Sequence, residues 1–79
     1  MNWREHITSD KSVLIGKPTI KGTRLSVDFL IERLASGWTE EQILGNYPRL
    51  TKKDMQAVFA YIHECIQDGL MYELSRESV

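Results

Sequence analysis

The sequence predicts a small, mainly α domain: three helices behind a short N-terminal β segment, at about residues 7–25. Three observations predict it. Apolar residues recur at helical spacing in two stretches, 27–34 and 55–70. Ser26, Thr39 and Thr51 each stand where a helix N-cap belongs. Residues 7–25 instead carry β-prone runs punctuated by Gly16, Pro18 and Gly22. No repeat or internal linker divides the chain, so residues 1–79 are expected to form a single domain.

The elements follow in order. Val13-Leu14-Ile15 reads as a short strand, Gly16-Lys17-Pro18 as a turn, and Thr19-Ile20-Lys21 as a second strand stopped by Gly22. Pro18 cannot donate to a ladder, so a strand there is an edge or starts after it. A lone hairpin is barely stable in water, so this one must pack on the helices or on another chain. The first helix starts at Ser26, with Asp28 favoured by the positive end of the helix dipole. Val27, Leu30, Ile31 and Leu34 form its buried stripe, Glu32 and Arg33 point away, and Gly37 suits a left-handed C-terminal cap.

Thr39 with Gln42 three residues on is a capping-box pattern for a second helix. Ile43 and Leu44 face inward, and Gly45, Asn46 and Pro48 end it. The third helix is capped by Thr51, with Asp54 in its first turn. Met55, Val58, Phe59, Ile62 and Ile66 form its apolar stripe, continued by Leu70. Gly69 ends or weakens it, and Leu70, Met71, Tyr72 and Leu74 form an apolar tail suited to a dimer contact. Two helices joined at Gly37-Trp38, then a third after the link Tyr47-Pro48-Arg49-Leu50, suit a homeodomain-like, helix-turn-helix domain. A plain helical bundle is the alternative, because that geometry often serves packing alone.

Composition limits the function. A chain this short buries only about 60% of its unfolded surface, so a homodimer or hetero-complex is expected. Cys65 is the single cysteine, which rules out an internal disulfide and suits a reducing compartment. The polar N-terminus lacks a secretory h-region, and no apolar run approaches the roughly 20 residues of a membrane span. A soluble, cytoplasmic protein is expected, with no membrane partner. No metal-ligand spacing, phosphate loop or Ser–His–acid pattern stands out, so neither enzymatic activity nor a cofactor is expected. His6 and His63 read as surface residues and Cys65 as a small packing residue.

Charge is uneven. The net charge is −1, yet Lys11, Lys17, Lys21 and Arg24 fall in one stretch without an acid among them. Such a patch can steer an acidic partner, although solvated turn lysines are the plainer reading.

The segment Gly16-Lys17-Pro18-Thr19-Ile20-Lys21-Gly22-Thr23-Arg24-Leu25-Ser26-Val27 is the most specific feature. It is followed by Leu34-Ala35-Ser36-Gly37-Trp38-Thr39-Glu40-Glu41-Gln42-Ile43-Leu44, and then by Tyr47-Pro48-Arg49-Leu50-Thr51. Over about residues 6–65 this resembles the small bacterial domain of unknown function family 433. The resemblance implies a homeodomain-like helical domain with a short N-terminal β segment. It also implies the role of antitoxin to a PIN-like ribonuclease toxin, with binding to its own promoter DNA.

The residues themselves suggest how such a module would work. Gly16 and Gly22 bracket a compact turn, and Lys17, Lys21 and Arg24 stand within and just after it. Three cations on a preshaped loop suit phosphates or a carboxylate cluster, such as a metal-dependent nuclease pocket, where Arg24 or Lys21 would make charge-assisted bonds. The alternative is that Thr23-Arg24 only pins the hairpin to the first helix, Arg24 pairing with Asp28 or Glu32. Trp3 is a further candidate for the toxin contact, whereas Trp38 covers the junction of the first two helices. A DNA-reading surface would be Arg49, Lys52, Lys53 and Gln56 at the start of the third helix. An antitoxin-like module, a DNA-binding regulator and a non-catalytic dimerising scaffold are therefore the three readings.

Overall fold

In a computed structural model, which describes residues 1–12 and 14–69, the chain folds into three helices and a two-stranded antiparallel hairpin. The expected architecture is present, mainly α and in helix-turn-helix order. The hairpin pairs β1 (Ile7–Thr8) with β2 (Thr19–Ile20), setting Ile7 opposite Ile20 and Thr8 opposite Thr19.

The partner of β2 is therefore not the Val13-Leu14-Ile15 run. Leu14–Gly16 forms a 3-10 turn, and Val13 lies outside the described residues. Burial decides this register: Ile7 and Ile20 are 5% and 1% exposed, while Ile15 is 93% exposed. Ile15 also has φ 58, a left-handed backbone unusual for a β-branched residue.

Helix α1 (Val27–Ala35) starts as expected, the Ser26 hydroxyl accepting from the Phe29 amide at 2.9 Å. Val27 and Leu30 are buried, and Ile31 and Leu34 pack at the core's edge. Arg33 does not point away to water. Its guanidinium lies 4.7 Å from the Phe29 ring centre and 5.2 Å from that of Trp38, so two aromatic faces hold it.

At the turn into α2 (Glu40–Asn46), Gly37 has φ 98 and the Trp38 amide donates to the Arg33 carbonyl. A Cβ at Gly37 or at Gly45 meets nothing within 4 Å, so backbone conformation alone separates the two sites. Gly37→Ala is expected to lower stability by about 1 kcal/mol, because a Cβ disfavours the left-handed region. Gly45 lies inside the helix instead of stopping it, and Gly45→Ala is expected to raise stability by roughly 0.5–1 kcal/mol. Urea denaturation of the two variants checks the opposite signs.

The capping box expected at Thr39 forms, and Thr51 makes a second one with Asp54. Thr39 and Gln42 exchange hydrogen bonds at the start of α2, as do Thr51 and Asp54 at the start of α3 (Lys52–Gln67). The core comprises Ile7, Ile20, Val27, Leu30, Ile43, Leu50, Met55, Ala57 and Val58. The apolar stripe of α3 differs from expectation. Ala57 is buried, whereas Phe59 and Ile66 are 50% and 37% exposed. Among the described residues, cover reaches only one side of this long helix. That side carries Asp54, Met55, Ala57, Val58, Tyr61 and Ile62, and Phe59, about 100° on from Val58 and away from Ala57, falls beyond its edge.

The N-terminus docks on α3. The 3-10 turn Trp3–Glu5 sets Trp3 edge-on to Tyr61, with ring centres 4.8 Å apart. His6 Nδ1 meets Asp54 Oδ1 at 2.8 Å, and Arg4 pairs with Glu64 at 3.2 Å on the surface. His6 is thus a half-buried tether and not a surface residue. His63 is exposed, and Cys65 is half-buried. Burial raises the pKa of the Tyr61 phenol, and Cys65 adds to the shift. Gly69, with φ 82, follows the end of α3, and the tail from Leu70 to Leu74 lies outside the described residues. No described helix is long and apolar enough to cross a membrane.

Candidate partner-binding surface

The loop from residue 16 to residue 26 is held by its own backbone. The Lys21 amide donates to the His6 carbonyl, the Ile20 amide to the Leu25 carbonyl, and the Val27 amide to the Pro18 carbonyl. Thr19 bridges to Ser26 across the loop. Gly22 turns the chain at φ 79. Thr23 then locks the turn: its hydroxyl donates to the Ile20 carbonyl at 2.9 Å and accepts from the Leu25 amide at 3.0 Å. A surface fixed in this way loses little freedom when a partner binds.

The cations on this loop have different environments. Lys17 stands 4.0 Å from Asp28, an exposed pair of little energetic weight. Lys21 and Arg24 are exposed, and among the described residues neither side chain makes a hydrogen bond or ion pair within the chain. The two readings of Thr23-Arg24 therefore divide between the residues: Thr23 pins the loop and Arg24 faces outward. Asp28 is taken by Lys17, not by Arg24.

Arg49 reaches the same place from the α2–α3 link. Its Nη1 donates to the Gly22 carbonyl at 3.1 Å, which uses one of its five N–H donors and leaves the rest exposed. Two open grooves meet at Thr23, Arg24 and Arg49. One, of about 520 Å3, is completed by Leu25, Asn46, Tyr47 and Pro48. The other, of about 460 Å3, is completed by Thr8, Asp10, Thr19, Ile20 and Gly22. Tyr47 is placed by an edge-on contact with Phe29, 5.7 Å between ring centres. Phe29 in turn lies under Arg33, so the wall of the first groove is braced through α1. The Ser12 amide and hydroxyl both donate to Asp10, at 2.9 and 2.8 Å, and hold its carboxyl below the usual carboxylate range.

Lys17, Lys21 and Arg24 thus share one outward loop. Trp3 lies elsewhere, half-buried against Tyr61 with Arg4 over its ring at 4.3 Å. Lys52, Lys53 and Gln56 are exposed on the first turns of α3, while Arg49 is drawn away from them to Gly22. The sequence did not single out Leu25, Tyr47 and Pro48 as lining residues. A tyrosine and a proline in a linker outside any helical stripe were the available signal.

The family described as "Protein of unknown function (DUF433)" matches residues 7–62. The chain belongs to the DUF433 family. A DUF433 member protein from Anabaena variabilis, known from its crystal structure, has the same fold at a TM-score of 0.72 and 29% identity, over 78% of this chain and 61% of that one. The chain thus spans about three fifths of that protein's length. No curated protein matches it. The DUF433 match takes in every residue that lines the two grooves and leaves out Trp3.

Proposed function

We propose that this DUF433 protein is a non-catalytic binding module, antitoxin-like in action, that meets the acidic pocket of a PIN-like ribonuclease with its 16–24 loop. The observation that carries the reading is Arg24: exposed, without an internal partner among the described residues, and set on a loop held by backbone bonds. A metal-dependent nuclease pocket is a cluster of carboxylates. A guanidinium offered on a rigid support makes two parallel, charge-assisted bonds to one of them and blocks the metal and the RNA phosphate together. Lys17 and Lys21 add attraction at longer range, which speeds encounter and weakens with salt.

Co-expression with the neighbouring gene tests this. Rescue of growth and co-purification are expected, and Arg24→Ala is expected to weaken the complex about 10- to 100-fold, the cost of losing one or two charge-assisted bonds. Full affinity in that variant would rule Arg24 out of the contact.

DNA regulation is a second reading, favoured by the exposed Lys52, Lys53 and Gln56 at the start of α3. It predicts a steep salt dependence of promoter binding. A dimerising scaffold would use the exposed Phe59 and Ile66, two turns apart on α3.

A further inference from the structure

We infer that the two grooves meeting at Arg24 and Arg49 form a seat for an extended acidic protein segment that carries one apolar anchor side chain. This rests on the binding-module reading above and specifies what the module grips. The first groove supplies Leu25, Tyr47 and Pro48, an apolar wall suited to an aliphatic or aromatic side chain. The second is polar, with the exposed Thr8 to bond an extended backbone and the exposed Asp10 to accept from its amides or from a basic side chain, while Thr19 is buried and donates to the Thr8 carbonyl. Arg24 and Arg49 both stand where the grooves join, so carboxylates beside the anchor meet guanidinium groups there.

Charge complementarity decides between a protein and a nucleic acid. A polyanion gains affinity by neutralising many phosphates. This face offers Arg24 and Arg49 with Lys21 close in sequence, places Asp10 in one groove, and belongs to a chain of net charge −1. That supply fits a few carboxylates around an anchor, not a phosphodiester backbone. The support is rigid on both sides: Thr23 locks the Gly22 turn, and the Arg49–Gly22 bond ties the α2–α3 link to it.

The test uses the full chain, isotope-labelled, and fluorescein-labelled nonapeptides. The probe peptide has a central phenylalanine flanked on both sides by aspartates. One control replaces the aspartates by asparagine, a second replaces the phenylalanine by glycine, and a thymidine decanucleotide serves as the polyanion. The probe is expected to bind about tenfold or more tightly than either control peptide, the loss being the charge-assisted contacts in the asparagine control and the apolar contact in the glycine control. The amide shifts it causes in the labelled chain are expected at residues 23–25, 46, 47 and 49, Pro48 having no amide proton. Arg24→Ala, at an exposed position with no partner among the described residues, is expected to remove about tenfold of the affinity with unchanged circular dichroism. Equal binding of all three peptides, or shifts confined to other residues, would overturn the inference. Tighter binding of the oligonucleotide with the same footprint would overturn it in favour of a phosphate ligand. If the peptides fail while the nuclease complex still depends on Arg24, the module stands and the peptide seat falls. If the peptides bind while the nuclease ignores Arg24, the seat stands and the ribonuclease reading falls.

Discussion

Ile43→Ala is expected to destabilise the protein by about 2–5 kcal/mol, the range for emptying a fully buried aliphatic site. The site is extreme because of where it lies. Helix α2 has seven residues, and Ile43 is the one among them that is fully buried. A helix of that length does not hold in water by itself, so α2 stays in place through its capping box and this anchor. In a domain this small, total stability is of order 5–10 kcal/mol, so the variant has lost a large share of it. The midpoint of thermal unfolding should fall by about 10–25 °C. Ile43→Val keeps most of the volume and should cost only about 0.5–1.5 kcal/mol. A loss below about 1 kcal/mol in the alanine variant would mean that α2 is held by something other than this contact.

The second large effect is expected at Asp54. This one carboxylate does two tasks. Oδ2 accepts from the Thr51 amide at 3.0 Å, closing the N-terminal cap of α3, and Oδ1 meets His6 Nδ1 at 2.8 Å, holding the N-terminal turn on that helix. The pair is largely shielded, with side-chain exposures of 14% and 23%. Asp54→Ala is therefore expected to cost about 2–3 kcal/mol, roughly one for the cap and one or more for the tether. A double-mutant cycle with His6→Ala separates the parts and should return a coupling of about 1 kcal/mol. Coupling near zero would show that the contact holds nothing, leaving Trp3 against Tyr61 as the main attachment of the N-terminus.

The helices were legible because their signals are local. Ser26, Thr39 and Thr51 each cap the helix assigned to them, and Gly37 takes the left-handed backbone expected at the end of α1. The strand pairing was not legible, because it depends on a contact between residues 7 and 20. Val13-Leu14-Ile15 has the stronger local β signal, yet register follows which residues reach the core, and Ile7 does so while Ile15 does not. Arg33 and Phe59 were misplaced for a related reason. Helical spacing gives the faces of a helix, not how far its neighbours extend over them. Arg33 finds two aromatic rings beside it, and Phe59 finds no cover among the described residues.

The site divides in the same way. The outward basic loop was visible as a run of cations between glycines. Its union with Arg49 was not, since that bond joins residues 27 positions apart. Position 22 serves there twice: glycine allows the turn at φ 79, and the turn presents the carbonyl that accepts from Arg49.

The most direct measurement is an amide chemical-shift map of the labelled chain titrated with the purified product of its neighbouring gene, which the proposal expects to be a PIN-like ribonuclease, with that partner's carboxylates intact. Perturbations are expected to concentrate at the non-proline residues of 16–25 and 46–49, and to be reduced when a nuclease carboxylate is replaced by its amide. A map confined to residues 52–67 of α3, with the 16–25 loop unmoved, would contradict the proposal.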